Sequence, residues 1–234
     1  MTAIISAQDA ASEPAWKPFI QAALMTALAG SVDAIGYTAM GHLYVSFMSG
    51  NSTQFGMAIA ERNENVIAWA SAVIATFVFG AFLGSLIYAV SGRVRVQLVL
   101  ACELVCFLLA ASLIGLWPTK LALLFISIAM GMQNAIREAV AGVATGKSFI
   151  TGALFGVGDG LARACLGKAD LAEAGANAAS WLAFVTGVVI GTQAVAALGI
   201  ANAILATSGI LVVLMGLSIQ LPTPRRGRAL PNAG

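Results

Sequence analysis

Residues 66–90 read VIAWASAVIATFVFGAFLGSLIYAV, 25 consecutive positions without a charged side chain. A helix needs about 20 mainly apolar residues to cross the hydrocarbon core of a bilayer, so this run is long enough to span. The rest of the chain agrees. Apolar types make up 59% of the 234 residues and charged types only 9%, against roughly 25% charged in soluble domains. Mean hydropathy is +0.91. So few charges cannot coat a soluble particle, and so apolar a chain is not disordered. An all-α polytopic membrane protein is the class that remains.

Working outward from that run, Pro18–Met40 forms a first span broken only by Asp33, and Val96–Trp117 forms a third with Glu103 inside it. Leu121 to about Val140 makes the fourth, closed by Arg137 and Glu138. Ala174–Leu221 holds 48 residues without a charge, enough for two helices with a turn expected near Gly199–Asn202. That gives six spans. Two further stretches, Tyr44–Ala60 and Ser148–Ala164, are 17 residues each, Gly-rich and polar at the centre. They are short for a crossing and are expected as re-entrant hairpins. Basic residues favour the cytoplasmic side. With six spans and both termini inside, ten of the 12 Lys and Arg face inward and only Arg62 and Lys120 face out. An eight-span reading lowers the split to eight against four.

The two short stretches share a pattern. Ser46-Phe47-Met48-Ser49-Gly50 matches Ser148-Phe149-Ile150-Thr151-Gly152 at an offset of 102. Upstream, Asp33-Ala34-Ile35 matches Asn134-Ala135-Ile136 at 101. Downstream, the Phe-Val-x-Gly-x-x-x-Gly of Phe77–Gly84 recurs in Phe184–Gly191 at 107. The expected organisation is a cytoplasmic tail (1–17), membrane repeat 1 (18–117), membrane repeat 2 (118–221) and a basic cytoplasmic tail (222–234). Three spans per repeat place the copies upside down relative to each other, the 3+3 inverted plan common among transporters. The Gly80/Gly84 and Gly187/Gly191 pairs are expected to let helices approach closely.

Three pieces, Val32-Asp33-Ala34, Met48-Ser49-Gly50-Asn51 and Met132-Gln133-Asn134-Ala135, resemble a known family. Together with their surroundings from Gly30 to Leu217 they are similar to the YoaK-like family of bacterial membrane proteins. The resemblance implies a six-span integral protein of the bacterial cytoplasmic membrane. It implies no substrate, cofactor or catalytic residue.

Candidate chemistry sits where polar groups enter the apolar runs. An intramembrane carboxylate is costly and marks a pathway by default. Asp33 is therefore a candidate ion, proton or substrate site, with a structural hydrogen bond to Gln133 or Asn134 of the second repeat as the alternative. Glu103, flanked by Cys102 and Cys106, is a candidate proton relay or simply a buried neutral acid. Ser49, Asn51, Ser52 and Thr53 around Gly50 are expected to cap a half-helix over Thr53–Ala60. Thr151 takes the same part for Gly152–Ala164. Two helix N-termini at mid-depth favour an anion or a neutral polar solute, whereas Asp33 and Glu103 favour a cation or proton.

The run Gly156-Val157-Gly158-Asp159 spells the GxGD of presenilin-type proteases. It lacks the partner motifs such chemistry needs, so no enzyme is expected. Asp159 and Arg163 are expected to pair along one helix. No cofactor or metal is expected, with three cysteines and one histidine in no ligand spacing. Nucleic acid is excluded by a net charge of +2 without basic clusters. The expected partners are the lipid bilayer, a small polar solute or ion, and a second copy or another membrane protein. The function expected first is small-solute or ion transport. A scaffold, assembly factor or subunit of a larger membrane complex is the alternative.

This topology has a direct test. A cysteine introduced at Asn63 should react with an impermeant thiol reagent from outside intact cells, and one at Gly227 should not. Outside labelling at Gly227 would reverse the orientation.

Overall fold

The computed structural model describes residues 16–141, 149–168 and 171–219. The N-terminal tail through residue 15, the segment 142–148 with Lys147 and Ser148, and the basic tail 222–234 lie outside the described residues. So do the side chains of Arg137 and Glu138. The described chain forms eight α-helices: α1 (Trp16–Ala39), α2 (Met48–Glu61), α3 (Glu64–Val90), α4 (Arg95–Leu113), α5 (Thr119–Ala141), α6 (Phe149–Cys165), α7 (Ala172–Leu198) and α8 (Ile200–Ile219). Among the described residues six are long and apolar enough to cross a membrane: α1, α3, α4, α5, α7 and α8. The six spans read from the sequence are these helices. The break expected near Gly199–Asn202 falls at Gly199, whose φ of +78° ends α7 before α8 begins.

The two short stretches are helical, and both helices begin earlier than the half-helices expected over 53–60 and 152–164. At 14 residues, α2 is ~21 Å long, too short for a ~30 Å core. Its end is a tight reversal. Arg62 adopts the left-handed conformation, its N–H reaches Ile59 O, and the Asn63 N–H reaches Ala58 O. This pair of bonds closes the helix in the Schellman manner. Asn63 then caps α3, its Oδ1 accepting from the Val66 N–H at 3.2 Å. α6 ends in the same way, with Gly167 at φ +65°, the Gly167 N–H on Ala164 O and the Lys168 N–H on Arg163 O. Each short helix packs on the long helix that follows it, α2 on α3 and α6 on α7.

The most extensive helix pairings run between distant parts of the chain, α1 with α7 and α3 with α5. Small residues make them possible. A Cβ on Gly80 would collide with the Ile128 carbonyl, and one on Gly84 would lie 2.6 Å from Met132 Cα. A Cβ on Gly187 would strike the Ala27 carbonyl, and one on Gly191 would strike that of Ser31. The reverse contacts exist as well: Gly131 lies under Phe77 O, and Gly30 under Phe184 O. The GxxxG pairs therefore act as packing surfaces, as expected. α4 packs on α5 and α8, and α1 also touches α5 and α8. Between these helices lies a core that includes Met25, Leu28, Phe107, Leu123, Met130 and Ile204. The outward faces of α3 and α4 carry Val78, Phe79, Phe82, Val105 and Leu108, all exposed, as lipid requires.

These backbone-to-backbone contacts generate a prediction. Gly80→Ala and Gly187→Ala should each cost about 1–3 kcal/mol, the usual range for overpacking, and lower the thermal midpoint in detergent. Gly209→Ala should leave it unchanged or raise it, because nothing lies within 4 Å of a Cβ at Gly209. Equal midpoints for all three would contradict the close approach.

Candidate functional site

Asp33 stands six residues before the end of α1, ~9 Å of helix rise below it. Beyond Ala39 the chain turns through Gly41 and His42, at φ +72° and +70°, and doubles back along α1. Gly36 makes room for the return: a Cβ there would lie 2.9 Å from Val45 Cγ1. The returning strand meets Asp33. Its Oδ1 accepts three successive backbone N–H groups, from Val45 at 3.0 Å, Ser46 at 2.7 Å and Phe47 at 3.3 Å. Its Oδ2 accepts the Ser46 hydroxyl at 2.7 Å. Successive N–H groups converging on one oxygen form an anion nest, and here the chain supplies the anion itself. Asp33 is buried, at 2% exposure.

Asn51 holds the same loop from the other side. Its Oδ1 accepts the Tyr44 N–H at 2.8 Å and its Nδ2 donates to Tyr44 O at 2.7 Å. The amide thus pairs with one residue's backbone as a strand neighbour would. Four consecutive N–H groups, 44 to 47, are satisfied by two side chains. His42, Tyr37, Tyr44 and Phe47 pack beside them in that order, tilted or edge-on, with ring centroids 4.7–5.2 Å apart in successive pairs. Gly50 lies under the rings of Phe47 and Tyr44, and a Cβ there would reach within 2.5 Å of Phe47 Cδ1.

This geometry corrects several expectations. The partner of Asp33 is the 45–47 loop of its own half, neither Gln133 nor Asn134. Asn134 is exposed, and its Nδ2 donates to Met130 O of its own helix. Ser49, Asn51, Ser52 and Thr53 do not cap a helix starting at Thr53. α2 starts at Met48, behind Phe47, with no side-chain cap, and the N–H groups just before it, those of residues 45 to 47, go to Asp33. Ser49, Ser52 and Thr53 lie on the exposed face of α2. Thr151 likewise sits inside α6, exposed, with Gly152 half-buried beside it. The two short helices rest on α3 and α7 rather than being drawn together around one site.

A second polar position lies in the core. Glu103 in α4 and Gln133 in α5 are both fully buried, and Gln133 Nε2 donates to Glu103 Oε2 at 3.3 Å. Cys102 and Cys106 pack at the edge of the surrounding apolar cluster. Sequence reasoning missed Ser46, which binds Asp33. Its place in the repeated Ser-Phe-x-Ser/Thr-Gly pattern was the available signal. It also missed Gln21, buried in α1, which nothing but its place in an apolar run distinguishes.

At the end of α6, Arg163 pairs with Asp159 at 3.0 Å, as expected, and also with Glu173 of α7. The Asp of the GxGD run is therefore half-exposed and ion-paired. Among the described residues no group of three or more His, Cys, Asp or Glu is placed to hold a metal ion.

Six apolar helices with a polar lock and a buried carboxylate define a polytopic α-helical membrane protein. The chain belongs to the family described as "Protein of unknown function (DUF1275)", which it matches over residues 21–217. It is 30% identical over 169 residues to UPF0700 transmembrane protein RA0705 of Rhizobium meliloti, covering 72% of each chain. It is 25% identical over 138 residues to UPF0700 transmembrane protein YoaK of Bacillus subtilis, covering 56% of this chain and 61% of that one. The YoaK-like resemblance is thus borne out. No solved structure matches.

The lock predicts a graded mutant series. Asp33→Leu orphans four donors and Asn51→Leu two backbone groups, each costing about 1–3 kcal/mol when buried. Both variants should lose folded yield and thermal stability in detergent. Asp33→Asn keeps one amide oxygen for the three N–H groups and should fall between them and the wild type. A fully stable Asp33→Leu protein would remove the lock from the account of the fold.

Proposed function

We propose that this protein is a small-solute or ion transporter or channel of the bacterial cytoplasmic membrane. In this reading it is built as a 3+3 inverted repeat, with α2 and α6 as re-entrant half-helices and both termini in the cytoplasm. The packing supports the repeat. Exchanging α1 with α5, α2 with α6, α3 with α7 and α4 with α8 leaves the set of helix pairings unchanged. The glycine contacts keep the sequence offsets. Ala27 and Ile128 lie 101 apart under Gly187 and Gly80, and Phe77 and Phe184 lie 107 apart over Gly131 and Gly30. The ~9 Å descent of the 45–47 loop along α1 supports a re-entrant α2. Lipid-exposed irregular backbone is not tolerated, but backbone buried in protein is, and here Asp33 and Asn51 do the burying.

The observation that carries transport is the Glu103–Gln133 hydrogen bond. It is fully buried within the membrane bundle and joins the first half to the second. An intramembrane carboxylate facing the bundle interior marks an ion or solute path by default. Asp33, with four donors bound, serves the hairpin instead. Proteolysis is not part of this reading, since Asp159 is ion-paired.

Purified protein in liposomes, assayed by electrophysiology on a solid-supported membrane under gradients of protons, potassium, ammonium and acetate, tests the proposal. At least one gradient should drive a saturable current. Glu103→Gln should fold and lower it roughly tenfold or more, a barrier change of ~1.4 kcal/mol. No current above that of empty liposomes under any gradient would overturn it.

One observation favours the alternative reading, a subunit of a larger membrane complex. Ser49, Ser52, Thr53 and Gly56 form an exposed stripe on α2 at helical spacing, unlike the Phe- and Val-rich faces that meet lipid. A partner retained after mild detergent extraction, together with silence in the flux assay, would establish that reading.

A further inference from the structure

We propose that Gln133 is the ligand-recognising acceptor of the transport site, and that the site takes a small solute presenting an N–H or O–H donor. The inference rests on the transport reading above and names its substrate class.

The argument starts from the orientation of one amide. Gln133 is fully buried. The end of the amide that faces Glu103 is Nε2, which donates to Glu103 Oε2 at 3.3 Å. Its carbonyl is thereby turned away from Glu103. Among the described residues that oxygen, Oε1, is buried and accepts no hydrogen bond. A buried amide carbonyl without a donor is a disfavoured arrangement, and the bond to Glu103 holds it there. The neighbouring helix repeats the pattern. α1 packs on α5 and carries Gln21, also buried, whose Oε1 likewise accepts nothing. The unfilled groups on both helices are acceptors. A carboxylate lies beside one of them.

Such a position is complementary to a donor. An anion or a bare carbonyl solute would set oxygen against oxygen. A solute with an N–H or O–H fills the vacancy on Gln133, and a cationic donor gains further from Glu103. Because Gln133 belongs to the second half and Glu103 to the first, a ligand held by Gln133 would sit where the halves meet. This is where alternating access needs its site.

Equilibrium binding tests the site separately from flux. The purified protein in detergent would be titrated with methylammonium chloride and with acetamide, a cationic and a neutral N–H donor. Tetramethylammonium chloride, which has no N–H, serves as the matched control. Thermal unfolding is followed by tryptophan fluorescence. At least one donor probe should raise the midpoint saturably and tetramethylammonium should not. The methylammonium and acetamide arms distinguish a cationic from a neutral ligand. Gln133→Met, a near-isosteric apolar variant, should weaken the donor probe's apparent affinity roughly tenfold or more.

If Gln133→Met does not fold, the wild-type titrations decide. No shift with either donor, or an equal shift with tetramethylammonium, overturns the site. An unchanged affinity in folded Gln133→Met does the same. Donor-specific binding in a protein silent for every gradient would overturn transport and leave the site standing. Current with no donor-specific shift would do the reverse.

Discussion

Three N–H groups and a hydroxyl converging on the carboxylate of Asp33 are the constraint around which the first half of the molecule is arranged. Irregular backbone buried in protein has no water to bond to, so each of its polar groups needs a partner from the protein. The loop at 44–47 has four consecutive donors. Asp33 takes those of residues 45 to 47 and Asn51 takes that of 44. Remove these two side chains and the loop has no reason to descend along α1. α2 would then have no reason to start where it does. The Val-Asp-Ala and Met-Ser-Gly-Asn pieces, 14 or more residues apart in the chain, are two ends of one device, with Gly36 clearing the surface between them.

The second constraint is steric. Lipid offers helices no hydrophobic drive to associate, so close backbone approach must supply the attraction. Glycines at 30, 80, 84, 131, 187 and 191 bring α1 against α7 and α3 against α5 at distances no Cβ would allow. These two seams cross from one half of the chain to the other. The polar lock works differently, within a half: it joins α1 to the start of α2, and α2 then leans on α3. Close packing therefore joins the halves, with a few hydrogen bonds such as Ser127 Oγ to Val73 O beside it, while the bonds to Asp33 and Asn51 hold the 44–47 loop within its half.

That division explains what was legible in the sequence. Spans are written in composition, and a run such as 66–90 admits no other reading. The GxxxG seams were legible because small residues at spacing four have few other uses in a membrane helix. The hairpins were legible as departures from apolarity, but their starts were not. Ser, Asn and Thr near a helix start usually cap it, which suggested a start at Thr53. Here the helix begins more than a turn earlier, at Met48, directly after a run of N–H groups bound by a carboxylate 12 to 14 positions upstream. Backbone donors carry no sequence mark, so the partner of Asp33 could not be read. The visible polar candidates, Gln133 and Asn134, drew the assignment instead. Asn134 shows the reason in reverse: alike in shape to Asp33 and at the matching position, it bonds its own helix.

The two buried carboxylates are thus opposite cases of one residue class. Asp33 accepts from the loop on both oxygens, and its nearest contacts, at 2.7 Å, have the length of strong bonds to a charged acceptor. Such a group resists exchange of partners, because every alternative orphans buried donors. The hydrogen bond from the Gln133 side-chain amide to Glu103 is longer, at 3.3 Å, and it joins helices from different halves. If the halves move against each other, the contacts that change are those between them, and the hairpin travels as a unit. A protein with one rigid polar lock inside a half and a looser polar contact across the seam has its adaptable chemistry at the seam.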